Sequence, residues 1–213
     1  MYKTILFDLD GTLTDPGIGI TNSVAYALKK FDINVSDRSE LYKFIGPPLM
    51  DAFTEFYGFS KEDSEKALAY YREYFSVKGI YENILYDGTV EMLETIKKTG
   101  RKIVLATSKP EKFALTILKH FKLFDYFDFV AGATMDESRN KKDDVIKHAI
   151  DSFGITNTAE ALMVGDRHHD ILGAKKFSMD SVGVLYGYGS KDELSEAGAT
   201  YLSETTDDIL KFI

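Results

Sequence analysis

The chain has no cysteine among its 213 residues. Disulfides, thiolate metal sites and a cysteine nucleophile are therefore excluded, and the absence fits a reducing, cytoplasmic setting. A surplus of positive charge is missing too. Lys and Arg number 26 against 34 Asp and Glu, for a net charge of −8. Non-specific nucleic-acid binding normally shows a basic face, so no nucleic-acid partner is expected. An anionic substrate stays open, because a few local cations or a metal ion can outweigh the global balance. No apolar run reaches the roughly 20 residues that span a bilayer. The opening MYKTILFDLDG has too short an apolar run for a signal peptide and ends in acids. No membrane partner is expected. Internal repeats and low-complexity tracts are absent. Monomer and homodimer remain equally compatible with the sequence.

What is present is ordinary in bulk, with 44% hydrophobic and 28% charged residues, enough for one large domain or a domain carrying a smaller insert. Ile5, Leu6 and Phe7 form a short continuous apolar run, as in strands buried on both faces. Helical spacing then takes over. Val24, Ala27, Leu28 and Phe31 mark one helix, Leu49, Phe53 and Phe56 a second that stops near Gly58. A third starts at Ser60 and runs through Ala67, Tyr70, Tyr71 and Tyr74 to a stop at Gly79. No strand is expected between residues 15 and 81. Beyond it the pattern alternates: helix 89–98, strand 102–107, a helix opened by Pro110, a weaker strand in FDFVAGA, helix 143–153, strand 161–166, helix 168–177, strand SVGVLYG and a last helix over 206–212. This predicts an α/β fold, a parallel sheet covered on both faces, with a small all-helical cap inserted. The expected core is residues 1–14 with 82–213, and the expected cap is residues 15–81.

Ligands of such sheets bind outside the carboxyl ends of the strands, and polar residues collect there. Asp8, Asp10, Gly11 and Thr12 follow the first strand. Thr107, Ser108 and Lys109 follow KIVLA. Arg139, Lys141 and Lys142 follow the weaker strand. Gly165, Asp166, Arg167 and Asp170 follow LMV. Several carboxylates close together need a cation, and hard oxygen donors without cysteine suggest Mg²⁺. Hydroxyls and a lysine suit phosphoryl oxygens, so the set points to phosphoryl transfer. Either Lys141 or Lys142 could serve; Lys142 stands three residues before the apolar Val145–Ile146 pair. His168 and His169 are adjacent and so face different ways on a helix, which disfavours them as joint ligands. The aromatic cap residues Tyr70, Tyr71, Tyr74 and Phe75 are expected to pack helices. GYG, at Gly187 and Gly189, is expected to serve a loop.

Together FDLDGT, ATS, the Lys141–Lys142 pair and GDRHHD resemble, in order, the four motifs of the haloacid dehalogenase superfamily. The insert, and FIGPPL within it, is similar to the cap of the phosphoglycolate phosphatase-like branch. The resemblance spans the whole chain and implies a Rossmann-like, doubly wound core. It also implies a Mg²⁺-dependent phosphatase acting on a small phosphorylated metabolite, such as a phosphoglycolate-like compound, a nucleoside monophosphate, a sugar phosphate or pyrophosphate. Asp8 would be the nucleophile, giving an aspartyl-phosphate, and Asp10 the general acid–base. Lys142 would pair with Asp8 and the phosphate. Thr107 would bind the phosphoryl group, with Ser108, Gly11 and Gly46 further candidates for substrate binding. The metal set would be Asp8, Asp10 (in this family usually through its backbone carbonyl), Asp166 and Asp170, the last as ligand or as support for one. Gly46 and Leu49, in the cap, would influence leaving-group choice on closure. A sugar phosphomutase of the same superfamily and a non-enzymatic phosphoacceptor receiver domain are the alternatives.

Overall fold

The computed structural model describes residues 1–213. A six-stranded, all-parallel sheet is built from β1 (Thr4–Phe7), β4 (Lys102–Pro110), β5 (Phe129–Ala133), β6 (Ala161–Gly165), β7 (Asp180–Val184) and β8 (Tyr201–Ser203), in the order β5-β4-β1-β6-β7-β8. β1 lies between β4 and β6, with Ile5 opposite Ile103 on one side and Leu162 on the other. Ile5, Leu6 and Phe7 are fully buried, as a central strand sandwiched between helix layers requires.

Helices α4 (Thr89–Lys98), α5 (Glu111–His120), α6 (Lys142–Phe153), α7 (His168–Lys176) and α8 (Lys191–Ala197) alternate with these strands. The chain first moves outward, from β4 through α5 to β5. It then returns through α6 across the sheet to β6. Parallel crossovers are right-handed, so this reversal sends α5 and α6 to opposite faces. On one face Val145, Ile146 and Ala149 of α6 and Ala174 of α7 pack on Leu6, Val104, Ala106 and Met163. The reversal also makes the carboxyl end of β1 a topological switch point, the place where such sheets open a crevice.

The chain divides into two compact units, Met1–Asp15 with Leu85–Ile213, and Pro16–Ile84. The second unit contains α1 (Gly17–Lys29), α2 (Leu49–Tyr57) and α3 (Lys61–Phe75), with 3-10 turns at Arg38–Phe44 and Gly79–Tyr81. Gly58 closes α2 in the left-handed conformation, and the Ser60 hydroxyl accepts from the Asp63 N–H to cap α3. Tyr71 and Phe75 are buried and stacked at 5.2 Å between ring centroids, so they pack the helix. No helix is long and apolar enough to cross a membrane.

Several elements differ from the sequence expectation. α3 ends at Phe75, before Gly79. That glycine is needed for close packing instead: a Cβ there would collide with Ser23 and the Gly19 carbonyl. The short strands β2 (Thr14–Asp15) and β3 (Ile84–Leu85) pair as a separate ribbon where the chain leaves the sheet-bearing unit and returns. They carry too few residues to show a period. β8 and α8 were not expected, and the last helix is a 3-10 turn over Asp207–Phe212. β4 runs beyond Thr107 to Pro110, with a register shift in which Thr107 faces Gly132 and Pro110 faces Ala133.

Candidate active site

The polar ends of β1, β4 and β6 and the first turns of α6 and α7 converge at the switch point. Asp8 continues the β1 ladder by one residue, its N–H donating to Val164 O at 2.9 Å. Its carboxylate therefore emerges where the strand pairing ends. The backbone then turns. The N–H groups of Leu13 and Thr14 both return to Leu9 O, and Gly11 N–H donates to Thr14 O. Gly11 sits at φ +81°, and a Cβ there would overlap the Asp166 carboxylate. Glycine is required on both counts.

Lys142 is the first residue of α6 and is buried, whereas Lys141, the residue before the helix, is exposed. The Lys142 ammonium lies 2.8 Å from Asp8 Oδ1, 2.8 Å from Asp170 Oδ1 and 3.0 Å from Ala106 O. Burial works against its charge, but Asp170 and Asp8 outweigh burial and hold it above the ordinary lysine range. Asp170, on the first turn of α7, also accepts the Arg167 N–H through Oδ2 at 3.1 Å. Its carboxyl is pushed up by burial, with Lys142 pulling the other way.

Asp166 is fully buried. Its Oδ2 accepts from the Tyr188 N–H at 2.9 Å, and Thr12 Oγ1 lies 3.5 Å from Oδ1. Burial and then the neighbouring charges of Asp170 and Asp8 push its carboxyl well above the usual range. The loop that holds it is tied down by the Tyr186 hydroxyl, which donates to Thr12 O at 2.9 Å, and by a Tyr188 hydroxyl bond to Asp15. A side chain at Gly187 would strike Asp166 and Gly11 O.

Asp8, Asp166 and Asp170 each offer an oxygen within 4.8 Å of the others. Oδ1 of Asp8 and of Asp170 is buried and makes no directional hydrogen bond beyond its charge contact with Lys142. With Asp10 there are four carboxylates and, with Lys109, two ammonium groups. With every carboxyl ionised, two negative charges are unmatched in a buried site; burial alone opposes that state, and a single divalent cation would neutralise it. The donors are all hard oxygens, so the residues fit Mg²⁺.

The Asp10 side chain does not join this group. β1 has ended, Asp10 bridges to Thr14 in the turn, and its carboxylate pairs through Oδ2 with Lys109. Burial pushes the Asp10 carboxyl up, and Lys109 offsets part of that. Thr107 is buried and its Oγ1 accepts the Lys109 N–H at 3.2 Å. Ser108 is half-buried between them. Gly46 belongs to the helical unit, at φ +108°, whereas the other eight candidates lie in the sheet-bearing unit. His168 donates its N–H to Glu193 Oε1 at 2.9 Å, places Nδ1 2.7 Å from the same oxygen, and stays outside the acid group.

Sequence reasoning named Lys109 as a strand-end residue without giving it a site role. The available signal was its position two residues beyond Thr107, the same interval that relates Asp8 and Asp10. Tyr186, Tyr188 and Glu193 were missed, since their contacts reach back across the sheet and leave no local pattern. Glu193 accepts from Arg167 Nε at 2.9 Å as well as from His168, which pins the turn between Asp166 and Asp170.

Comparison with known proteins matches residues 5–184 to the haloacid dehalogenase-like hydrolase model. A 5'-nucleotidase of Pseudomonas aeruginosa is 46% identical over 91% of this chain and 87% of its own. The tyrosine-protein kinase PtkA of Mycobacterium tuberculosis is 36% identical over 97% of this chain and 71% of its own. The crystal structure of a predicted phosphatase from Clostridium acetobutylicum superposes with a TM-score of 0.97 at 48% identity, covering 100% of this chain and 98% of that one.

Proposed function

The chain belongs to the haloacid dehalogenase-like hydrolases, and from that premise we propose that it is a cytoplasmic, Mg²⁺-dependent phosphatase that hydrolyses small phosphomonoesters through an aspartyl-phosphate on Asp8. That it is a phosphoric monoester hydrolase follows from the family and its phosphatase relatives. The observation that supports the finer reading is the buried acid group at the end of β1, one of whose members, Asp8, is held by a lysine at 2.8 Å.

In this reading Asp8 attacks phosphorus and the ester oxygen leaves with a proton from Asp10. Water, deprotonated by Asp10, then releases phosphate from Asp8. Lys142 orients Asp8 and faces the phosphoryl oxygens, and Thr107 offers its hydroxyl to them. Asp8 and Asp166 would hold the metal, with the Asp10 backbone carbonyl, and Asp170 would ligate it or support Lys142 and the Asp166 loop. Bound Mg²⁺ supplies charge neutralisation for the acids and for the phosphoryl oxygens. The 46% identity to a 5'-nucleotidase makes nucleoside monophosphates the first substrates to test, with phosphoglycolate next.

Phosphate release should require Mg²⁺ and stop in EDTA. In a thermal melt without substrate, Mg²⁺ should raise the midpoint of the wild type and do so far less for Asp166→Ala. At 100 times its dissociation constant, a ligand that binds only the folded state stabilises by about 2.7 kcal/mol. Full turnover in EDTA, or an identical Mg²⁺ shift in both proteins, overturns the metal assignment.

A further inference from the structure

The machinery above leaves one buried cation without a task. Lys109 is 8% exposed and its ammonium pairs with Asp10 Oδ2. Three features indicate that this is a built contact. The register shift between Thr107 and Pro110 inserts extra residues in β4 at this point. The Lys109 N–H is anchored on Thr107 Oγ1 at 3.2 Å, tying the backbone of one site residue to the side chain of another. The pair is also selective between the two oxygens of Asp10. Oδ2 is gripped, while Oδ1 is buried and has no hydrogen-bond partner.

A carboxyl group that must hand a proton to a leaving oxygen needs one oxygen fixed and the other available, in a set orientation. We propose that Lys109 is a positioning residue for Asp10, clamping Oδ2 so that Oδ1 faces the leaving group. The proposal rests on the acid–base role given to Asp10 above. In the first half-reaction the proton on Oδ1 passes to the bridging oxygen as its bond to phosphorus breaks and the bond from Asp8 forms. In the second, Oδ1 takes a proton from the attacking water. Lys109 keeps its own protons throughout and acts only through Asp10.

This role separates from direct phosphate binding by its dependence on the leaving group. The parameter to measure is kcat/KM, which reports steps up to phosphoryl transfer, for glycerol phosphate and for p-nitrophenyl phosphate. The proteins are wild type, Lys109→Met, Asp10→Asn and the double variant, each with saturating Mg²⁺. Glycerol is a poor leaving group that needs protonation, and p-nitrophenol is not. Lys109→Met should lower kcat/KM for glycerol phosphate about 10- to 100-fold, within the range general acid catalysis supplies. For p-nitrophenyl phosphate the loss should stay within about threefold. The double variant should be no worse than Asp10→Asn alone, because residues that act as a unit are not additive. Lys109→Arg, which keeps the charge, should recover part of the loss. Lys109→Gln retains a donor for Oδ2 and should fall between Met and wild type; it carries the same test if the Met variant does not fold. Equal losses on both substrates, with additivity in the double variant, would make Lys109 a phosphate ligand and overturn the proposal. No loss on either would do the same. If Asp10→Asn itself strikes both substrates equally, the acid role fails and the positioning role falls with it. If Asp10→Asn discriminates and Lys109→Met does not, the positioning role alone fails.

Discussion

Asp8→Asn should abolish turnover, with phosphate release reduced on the order of 10⁴-fold or more, while the protein stays folded. The amide is nearly isosteric with the carboxylate but cannot form the covalent intermediate, so no covalent route remains. The fold should survive for a local reason. Lys142 keeps Asp170 at 2.8 Å and Ala106 O at 3.0 Å, so no buried ammonium is stranded. One of the two unmatched negative charges also disappears, so the metal-free variant should melt no lower than the wild type. Phosphate release over hours and a thermal melt check both halves. Wild-type-like hydrolysis would falsify the assignment of Asp8.

Lys142→Met should have the second-largest effect, and a double one. Its ammonium is the counter-charge of two buried carboxylates, Asp8 and Asp170. Breaking a buried pair by removing one partner typically costs about 3–5 kcal/mol, because the other charge is left uncompensated. Metal-free Lys142→Met should therefore unfold at markedly lower urea concentration than the wild type. Mg²⁺ should restore more stability to the variant than it adds to the wild type, since the ion then neutralises what the lysine did. Activity should not recover. Losing a preorganised cation at a developing charge costs on the order of 10²–10³-fold in kcat. Lys141→Met, at an exposed position just before the helix, should change neither quantity by much. A Lys142 variant as stable as the wild type without Mg²⁺ would remove the charge-compensation argument.

The parts of this site that were legible were those whose chemistry sits beside a strong periodic signal. Asp8 follows three apolar residues that read as a buried strand, and Asp166 comes one glycine after LMV, another such run. Lys142 could be preferred to Lys141 because it stands three residues before the apolar Val145–Ile146 pair, which marks the inward face of the following helix. The illegible parts depend on backbone geometry that side-chain periodicity does not encode. Extending strand logic from Asp8 to Asp10 assumes an unbroken strand. The chain instead turns at Leu9–Thr14, and the Asp10 carboxylate meets Lys109. That meeting requires an irregularity in β4 which no pattern announces. β8 is three residues long and was too short to read. The N–H that Asp166 Oδ2 accepts comes from the main chain of Tyr188, and any residue but proline could supply it.

The ribbon of β2 and β3 bears on how the molecule assembles from an unfolded chain. β1 must find β4, with Ile5 opposite Ile103, across roughly 100 residues of chain, most of them the residues 16–84 of the helical unit. Closure entropy grows only logarithmically, at about 0.6 kcal/mol per doubling of length, so lengthening this connection about threefold costs on the order of 1 kcal/mol. That cost falls in a separate step when the junction beside the ribbon closes first. Tyr86 N–H donates to Leu13 O, and Thr89 Oγ1 donates to the same carbonyl at 3.3 Å. Once these bonds form, the search for β4 is that of a much shorter chain. Refolding should accordingly respond more to substitutions that weaken the Leu13–Tyr86 junction than to the number of residues looped out beyond it.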